Sequence, residues 1–203
     1  MLTIALPKGR IADETLDRFE KAFGEKFVFE DRKLILEKSG FKFLNVRNQD
    51  VPTYVMHGAA DLGVVGLDVL EEKEYDLIKL LDLKLGRCKV AFGLRAGEKL
   101  NFDKSKITIA TKHEKIAKKY FEQKAMAVEI IKLYGSIELA PLVGLCDCIV
   151  DIVETGSTLK ANGLEVLEEI CPLSARVVVN EVSMKMQHER ITNLIKEIKG
   201  VLA

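Results

Sequence analysis

The chain has 203 residues, and 48% of them are hydrophobic, which suits a globular protein with a sizeable core and excludes a disordered chain. Lys plus Arg and Asp plus Glu each number 31, so no overall field favours nucleic acid or an anionic membrane, and we expect neither as a partner. The first ten residues are too polar for a secretory signal and no apolar run approaches the roughly 20 residues of a membrane span, which predicts a cytoplasmic protein.

Short β-rich runs alternate with amphipathic helical patterns, which indicates an α/β protein with mostly parallel sheets. In the first half, Pro52 is typical of a first helical turn and Ser39-Gly40 of a hairpin turn. The predicted elements are a strand at 2–6, a helix at 11–23, a hairpin from 33–37 and 41–46, a helix at 51–58, a strand at 61–66, a helix from 67 and a long strand at 86–96.

The second half repeats the alternation from residue 106 onward. Its final pattern places Met184, Ile191, Ile195 and Ile198 at helical spacing. The predicted elements are a strand at 106–111, a helix at 113–123, a strand at 127–133, a helix near 136–143, a strand at 147–153, a short helix followed by "LEVLEEI" at 164–170, a strand at 175–181 and a helix at about 183–201.

Two segments, "GAADLGVVGLDVL" and "GLCDCIVDIVETGSTL", both place a glycine and an aspartate before an apolar strand that ends in a polar turn. Such a pair predicts two α/β lobes that face a cleft. We expect lobe I to comprise 1–90 plus 175–203 and lobe II to comprise 91–174. Ligands of open α/β sheets bind at the carboxyl ends of strands, so we expect the turns there to bind the ligand.

The four cysteines, Cys88, Cys146, Cys148 and Cys171, lack the two-pair spacing of a zinc site. We expect buried, reduced cysteines and no metal ligands among them. The three histidines lie far apart, with no serine or cysteine nucleophile motif. No P-loop or GxGxxG motif is present, so a bound nucleotide would need another kind of site.

The segment "DIVETGSTLKANG" ends a buried-looking strand in small hydroxyl residues around a glycine. Gly156 allows close backbone approach, and Thr155, Ser157 and Thr158 offer hydroxyls beside the free N–H groups of a helix start, which together suit phosphate. The carboxylates of Asp151 and Glu154 repel phosphate but accept hydrogen bonds from ribose hydroxyls. The pattern therefore indicates a ribose 5-phosphate site, with an ordinary Ser/Thr helix cap as the equally weighted alternative.

Basic residues follow two other predicted strands. "LPKGR" projects Lys8 and Arg10 after a tight turn, as a phosphate site or as a solvated basic turn. Arg47 follows the strand at 41–46 without an evident structural task, whereas Asp50 is best interpreted as the cap of the next helix. Arg32 is a weaker candidate, with a surface strand position as the alternative.

"GVVGLD" is the fourth candidate segment. Its glycines, Gly63 and Gly66, could let a flat ring lie against the backbone. Asp68 fits either a helix N-terminal acid or a polar contact to a nucleotide, and the structural interpretation is the stronger one.

Together these segments resemble the ATP phosphoribosyltransferase family, and more narrowly its short-form catalytic subunit. "LPKGR", "RNQDVPTYV", "GAADLGVVGLDVL" and "DCIVDIVETGSTLKANGLEV" occur in the family's order and spacing, and the resemblance runs from residue 1 to about 200. The long form continues into a C-terminal domain that binds histidine, and the sequence here ends before such a domain.

The resemblance implies a two-lobed, periplasmic-binding-protein-like (type II) fold and the first step of histidine biosynthesis. In that step ATP and 5-phosphoribosyl 1-pyrophosphate (PRPP) give N1-(5-phosphoribosyl)-ATP and pyrophosphate with Mg²⁺, which travels with the substrates. The expected partners are ATP, PRPP and a regulatory subunit related to histidyl-tRNA synthetase, and we expect a homo-oligomer.

The resemblance also assigns residues. By position, the turn from Glu154 to Leu159, which contains Thr155, Gly156, Ser157 and Thr158, would hold the PRPP 5-phosphate, and Asp151 or Glu154 its ribose. Lys8, Arg10 and Arg47 would face pyrophosphate or ATP phosphates, with Arg32 as a further candidate, and Gly66, Leu67 and Asp68 would contact ATP. The alternative function is a non-enzymatic two-lobed sensor of an anionic metabolite, which would not need acids beside the hydroxyl-rich turn.

Overall fold

The computed structural model describes residues 1–101 and 104–202. The chain divides into two compact units, each built on its own β-sheet. Unit 1 contains Met1–Leu70, Glu74–Gly86 and the C-terminal segment from Ser174, and unit 2 contains Glu71–Lys73 and Arg87–Leu173. No helix in the described part of the chain is both long and apolar enough to cross a membrane.

Unit 1 is a six-stranded sheet with helices on both faces. A short 3-10 turn at Asn48–Asp50 leads into the second helix. The strands of unit 1 are β1 (Leu2–Pro7), β2 (Ile35–Lys38), β3 (Phe41–Val46), β4 (Leu62–Gly66), β5 (Ile78–Asp82) and β11 (Ala175–Val179), and its helices are α1 (Arg10–Phe23), α2 (Val51–Met56), α3 (Leu67–Lys73), α7 (Glu181–Met186) and α8 (His188–Gly200). The last three residues of α3, Glu71–Lys73, group with unit 2.

The strand order in unit 1 is β2-β3-β1-β4-β11-β5. The three strands β3, β1 and β4 run parallel, so their carboxyl ends meet at one edge of the sheet. The outer pairings, of β2 with β3 and of β11 with both β4 and β5, are antiparallel. The sheet is therefore mixed.

The core of unit 1 follows from the alternation of side chains along its strands. In β1, Ile4 and Leu6 join the cluster packed against α1 and α8, whereas Ala5 joins the opposite cluster with α2 and α3. Four phenylalanines reinforce the first cluster: the rings of Phe19 and Phe43 lie edge to face at 5.0 Å, and Phe27 and Phe41 pack beside them. A one-residue slip would exchange the two faces of β1 and place the large Ile4 and Leu6 side chains where the cluster accommodates Ala5, so packing on both faces fixes the strand register.

Unit 2 is a five-stranded sheet in the order β10-β6-β9-β7-β8. β7 runs parallel to β8 and β9, whereas β6 runs antiparallel to β9 and β10. Its strands are β6 (Cys88–Arg95), β7 (Ile107–Thr111), β8 (Val128–Lys132), β9 (Cys148–Val153) and β10 (Leu164–Leu173), and its helices are α4 (Glu114–Gln123), α5 (Leu139–Leu142) and α6 (Ser157–Ala161).

Aspartate Asp147 fixes the amino end of β9. Its carboxylate accepts hydrogen bonds from the N–H and hydroxyl of Thr108, at 2.9 and 2.8 Å, and pairs with Lys104. Desolvation by burial raises the pKa of Asp147, but the hydrogen bonds from Lys104 and Thr108 outweigh it, so the pKa lies below its ordinary value. The ionised carboxylate therefore joins β7 to β9 at this end of the sheet.

Three expectations from the sequence need correction. The sheets are mixed rather than mostly parallel, because hairpins and the returning strand β11 add antiparallel neighbours. The segment at 183–201 forms two helices, α7 and α8, separated at Gln187, which leaves helical geometry with φ −126° and ψ 28°. Strand β5 was not predicted from the sequence.

All four cysteines lie within the described residues and are free thiols. Cys146 and Cys148 are buried, as predicted, whereas Cys88 and Cys171 are only half-buried. Burial strongly raises the pKa of the Cys148 thiol, which keeps it protonated and unreactive.

Candidate active site

The hydroxyl-rich turn lies at the carboxyl end of β9, a central strand of the unit 2 sheet. Asp151 is the fourth residue of this strand, and its side chain is 13% exposed. Glu154 follows the strand and is exposed. The strand thus presents one sheltered and one exposed carboxylate directly before the turn.

The turn itself is shaped by Gly156, which adopts φ 79° and ψ 0°. This left-handed conformation costs about 1–2 kcal/mol in a residue with a Cβ atom, which explains the glycine. The hydroxyls of Thr155 and Ser157 lie 2.9 Å apart within hydrogen-bonding distance, and the Ser157 N–H donates to Thr155 Oγ1 at 3.3 Å. Thr158 is exposed beside them. The turn therefore gathers hydroxyl and N–H donors in one exposed bend.

The helix-cap alternative takes a shifted form in this geometry. The residue at the N-cap position of α6 is Gly156, which has no side chain to cap the helix, and Thr155, one residue earlier, accepts from the Ser157 N–H at the helix start. This single bond leaves the hydroxyls of Ser157 and Thr158 exposed at the surface of the turn. Leu159 is 5% exposed and packs in the unit 2 core, so its side chain anchors the turn to the sheet and only its backbone remains for a ligand.

A lysine that the sequence reasoning missed, Lys112, accompanies the turn. It directly follows β7, the parallel neighbour of β9, and the register Thr111↔Val150 places it beside Asp151. Its Nζ lies 3.4 Å from Oδ1 of Asp151. Sequence alone could not single out this residue, because its importance depends on β7 and β9 being neighbours.

Basic residues gather at the carboxyl edge of the unit 1 sheet. Lys8 follows β1 and Arg47 follows β3, and the register Pro7↔Val46 makes the two residues neighbours. The Lys8 N–H donates to the Val46 carbonyl at 2.8 Å, which extends the pairing to the edge itself. Both side chains are exposed.

Two further arginines belong to the same edge. Arg10 is the first residue of α1, two residues after Lys8, and its Nε lies 3.7 Å from Oε1 of Glu14. Arg32 precedes β2, whose antiparallel pairing with β3 brings its start to the carboxyl end of β3. Arg32 lies in a turn with φ 58°, so the alternative of a surface strand position is wrong.

Gly66 ends β4, the third parallel strand at this edge, and its N–H donates to Oδ1 of Asn48 at 3.2 Å. A Cβ atom on Gly66 would lie 2.2 Å from Oδ1 of Asp68, so this glycine lets the carboxylate fold back over the start of α3. Leu67 is half-buried between them. The sequence did not indicate the hydrogen bond between Asn48 and Gly66.

Two interpretations from the sequence do not hold at this edge. The position of Gly63 cannot receive a flat ring, because a Cβ atom there would lie 2.7 Å from Val51 and from Val55 of α2. Asp50 precedes α2 but makes no side-chain cap, because it ends the 3-10 turn in a helical conformation (φ −96°, ψ −19°) instead of the extended one that capping requires.

The predicted residues thus form two groups. Unit 2 brings together Asp151, Glu154 and the turn to Leu159, and unit 1 brings together the four basic residues and the Gly66–Asp68 segment. Within residues 1–101 and 104–202, no cluster of three or more His, Cys, Asp or Glu side chains could hold a metal ion.

The fold is of the periplasmic-binding-protein-like class. The chain is similar to the substrate-binding protein of an amino acid ABC transporter, with a TM-score of 0.57 at 15% identity over 99% of this chain and 91% of that one. At this identity the likeness concerns the fold alone.

The chain belongs to the ATP phosphoribosyltransferase family. The family model described as "HisG: ATP phosphoribosyltransferase" matches residues 47–200. An ATP phosphoribosyltransferase of Wolinella succinogenes is 64% identical over 97% of this chain and 96% of its own length. The structure of the ATP phosphoribosyl transferase (HisG:HisZ) complex from Thermotoga maritima contains a chain that matches with a TM-score of 0.85 and 38% identity, over 100% of this chain and 98% of that one. These comparisons give no support to the alternative of a non-enzymatic sensor.

Proposed function

We propose that this chain transfers the 5-phosphoribosyl group of PRPP to N1 of ATP with release of pyrophosphate, which is the first step of histidine biosynthesis. The observation that supports it most is the exposed hydroxyl-rich turn from Glu154 to Leu159 beside the sheltered Asp151, in a chain of the ATP phosphoribosyltransferase family. Because both substrates are metabolites of the cytoplasm, we expect the reaction to take place there.

In this proposal, unit 2 binds PRPP. The 5-phosphate accepts hydrogen bonds from the backbone N–H groups of the turn and from the hydroxyls of Thr155, Ser157 and Thr158. The 2- and 3-hydroxyls of the ribose donate to Asp151 or Glu154. Neutral hydrogen-bond donors bind the phosphate, and carboxylates bind the ribose hydroxyls. The site can therefore distinguish a phosphorylated pentose from inorganic phosphate.

Unit 1 contributes positive charge. Lys8, Arg10, Arg32 and Arg47 bind the pyrophosphate group of PRPP or the phosphates of ATP, since guanidinium groups can bind phosphate oxygens in a bidentate manner. The start of α3, with Gly66, Leu67 and Asp68, contacts ATP. Asn48 holds the end of β4 through its hydrogen bond to Gly66 and keeps this segment in place.

The chemistry needs no general base, because adenine N1 already carries a free lone pair. N1 attacks C1 of the ribose as pyrophosphate leaves, and the ring passes through an oxocarbenium-like state, as in glycoside cleavage. Cations near the leaving group stabilise the negative charge that develops on it. The main contribution of the protein is to hold two polyanions in line, an effect that can supply several kcal/mol of the barrier, up to about 7–11 kcal/mol.

Mg²⁺ fits this proposal as an ion carried by the substrates. Mg²⁺ in such sites takes most of its ligands from phosphate oxygens and water with one or two carboxylates, so the proposal needs no ligand set supplied by the protein alone. When bound, it would supply Lewis-acid neutralisation of the negative charge on the substrate phosphates.

We also propose a protein partner. The Thermotoga maritima structure is that of a HisG:HisZ complex, and one of its chains matches the whole of this one. This match supports assembly of the chain with a HisZ-like regulatory subunit, related to histidyl-tRNA synthetase. The proposal also includes further copies of the chain itself, as a homo-oligomer.

The test is ATP-dependent pyrophosphate release. The purified chain, alone and with its HisZ-like subunit, is mixed with PRPP, ATP and Mg²⁺, and pyrophosphate and phosphoribosyl-ATP are quantified together. We expect equimolar products and no pyrophosphate when ATP is omitted. Absence of ATP-dependent release with the regulatory subunit present would contradict the proposal.

A further inference from the structure

Lys112 forms an ion pair with Asp151, the largely buried carboxylate close to the hydroxyl-rich turn. It directly follows β7, the parallel neighbour of β9, and its Nζ lies 3.4 Å from Oδ1 of Asp151. The Lys112 side chain is 38% exposed and the Asp151 side chain 13% exposed, so the pair is only partly open to water. Screening by solvent is therefore weaker than for an ordinary surface ion pair.

The backbone that carries Lys112 is firmly held. Thr111 and His113 on either side are buried, and the His113 N–H donates to Thr111 Oγ1 at 2.9 Å. The Thr111 carbonyl accepts from Leu133 at 3.0 Å, and the His113 carbonyl accepts from Ala117 at 3.0 Å. The lysine thus extends from a rigid connection between β7 and α4, and little backbone entropy is lost when it pairs with the carboxylate.

The two oxygens of Asp151 have different surroundings. Oδ1 lies near Lys112 and accepts a hydrogen bond from the Ile152 N–H at 2.8 Å. Within the part of the chain that the structure describes, no hydrogen bond is made to Oδ2. One oxygen is therefore used to fix the carboxylate, and the other remains able to accept hydrogen bonds from a ligand hydroxyl.

We propose that Lys112 is a positioning residue for PRPP binding. Lys112 acts by holding Asp151 in place and by neutralising the charge of its carboxylate. A lone carboxylate would repel the phosphates of the phosphosugar, whereas a carboxylate paired with an ammonium can accept hydrogen bonds from ribose hydroxyls with less repulsion. The inference rests on the proposed function, because it names a residue that supports the ribose contact of the same site.

The test measures PRPP and ribose 5-phosphate binding in charge variants. Lys112→Met and Lys112→Gln are expected to raise the KM for PRPP and the Kd for ribose 5-phosphate roughly tenfold, while the KM for ATP stays unchanged. Lys112→Arg keeps the charge and should remain within about threefold of the parent in both quantities. Lys118→Met is the matched control, since Lys118 lies on α4 of the same unit and pairs with Glu122 at the surface.

A double-mutant comparison separates positioning from direct binding. If Lys112 acts through Asp151, then adding Lys112→Met to Asp151→Asn should change the KM for PRPP little further. The inference would be overturned if Lys112→Met raised the KM for PRPP as much in the Asp151→Asn background as in the parent. It would also be overturned if Lys112→Met bound ribose 5-phosphate as tightly as the parent. In either case, ATP-dependent turnover by the parent chain would still support the proposed function. A parent chain that neither binds ribose 5-phosphate nor turns over PRPP would overturn both.

Discussion

In the proposed function, the two units bind anionic groups in different ways. The carboxyl edge of the unit 1 sheet carries four cations, Lys8, Arg10, Arg32 and Arg47, on exposed side chains. The corresponding edge of unit 2 carries hydroxyls and backbone donors around Gly156, with Asp151 and its lysine beside them. Formal charge dominates the first edge, and hydrogen-bond geometry dominates the second.

This difference indicates which ligand group each edge suits. A polyphosphate carries several charges over a flexible chain, and long cationic side chains can follow it. A phosphorylated sugar presents one phosphate and several hydroxyls at fixed spacing, which a rigid turn with neighbouring carboxylates can match. The variants below either remove this distinction or measure it more closely.

The largest effect is expected from the cationic edge. Arg47→Ala, and separately Arg10→Ala, should lower kcat on the order of 10²–10³-fold, because the leaving pyrophosphate loses a charged donor in the transition state. Steady-state kinetics with the regulatory subunit present would measure it. Lys185→Ala, an exposed residue of α7 paired with Glu181, provides the control. Parent-like kinetics in both arginine variants would exclude these assignments.

A smaller and more selective effect is expected from Asp151. Asp151→Asn should raise the KM for PRPP roughly 10–100-fold, since hydrogen bonds to a charged acceptor contribute about 1.5–3 kcal/mol. The KM for ATP should stay near that of the parent, which distinguishes this edge from the cationic one. Equal increases in both KM values would contradict the separation of the two edges.

The shape of the turn can be tested with two glycines of similar conformation. Gly156→Ala and Gly163→Ala place a Cβ atom at φ 79° and φ 70°, so each should destabilise the protein by about 1 kcal/mol. The backbone strain is comparable in the two variants, but only Gly156→Ala should also weaken ribose 5-phosphate binding, by roughly fivefold. Calorimetric titration and thermal unfolding of both variants make the comparison, and equal affinities would show that the turn does not shape the site.

The smallest effect on kinetics is expected at the opposite end of β9, where a substitution should change stability and leave turnover unchanged. Asp147→Asn removes the charge that accepts from Thr108 and Lys104, and should cost about 1–2 kcal/mol of stability at pH 7. Because the pKa of Asp147 is depressed in the folded state, this stabilisation is present above the unfolded pKa of about 3.9 and is lost as pH falls through the folded value. Thermal unfolding of parent and variant should therefore converge as the pH falls below the folded-state pKa of Asp147, whereas Glu122→Gln should match the parent throughout.

Much of the local structure could be read from the sequence because each unit is built from strongly patterned segments. The apolar run from Cys148 to Val153 and the helical spacing of Leu16 and Phe19 are decisive signals over a few residues. β5 lacks such a signal, since Ile78 and Lys79 are exposed and its strand character comes from pairing with β11.

The candidate site could be predicted only where its residues are close in sequence. The turn from Glu154 to Leu159 and the pair Lys8 and Arg10 form continuous segments. The contacts of Lys112 with Asp151 and of Asn48 with Gly66 each join the segment after one strand to a residue of another strand, so they depend on strand order. Strand order is a property of the folded sheet that periodicity does not encode, and for the same reason the mixed pairing of both sheets was missed.

The most direct test of the central claim is a crystal structure of this chain with PRPP bound. The account predicts the 5-phosphate within hydrogen-bonding distance of the backbone and hydroxyls of Thr155–Thr158, and a ribose hydroxyl on the carboxylate of Asp151. PRPP bound elsewhere on the chain, with this turn making no contact to the sugar phosphate, would contradict it.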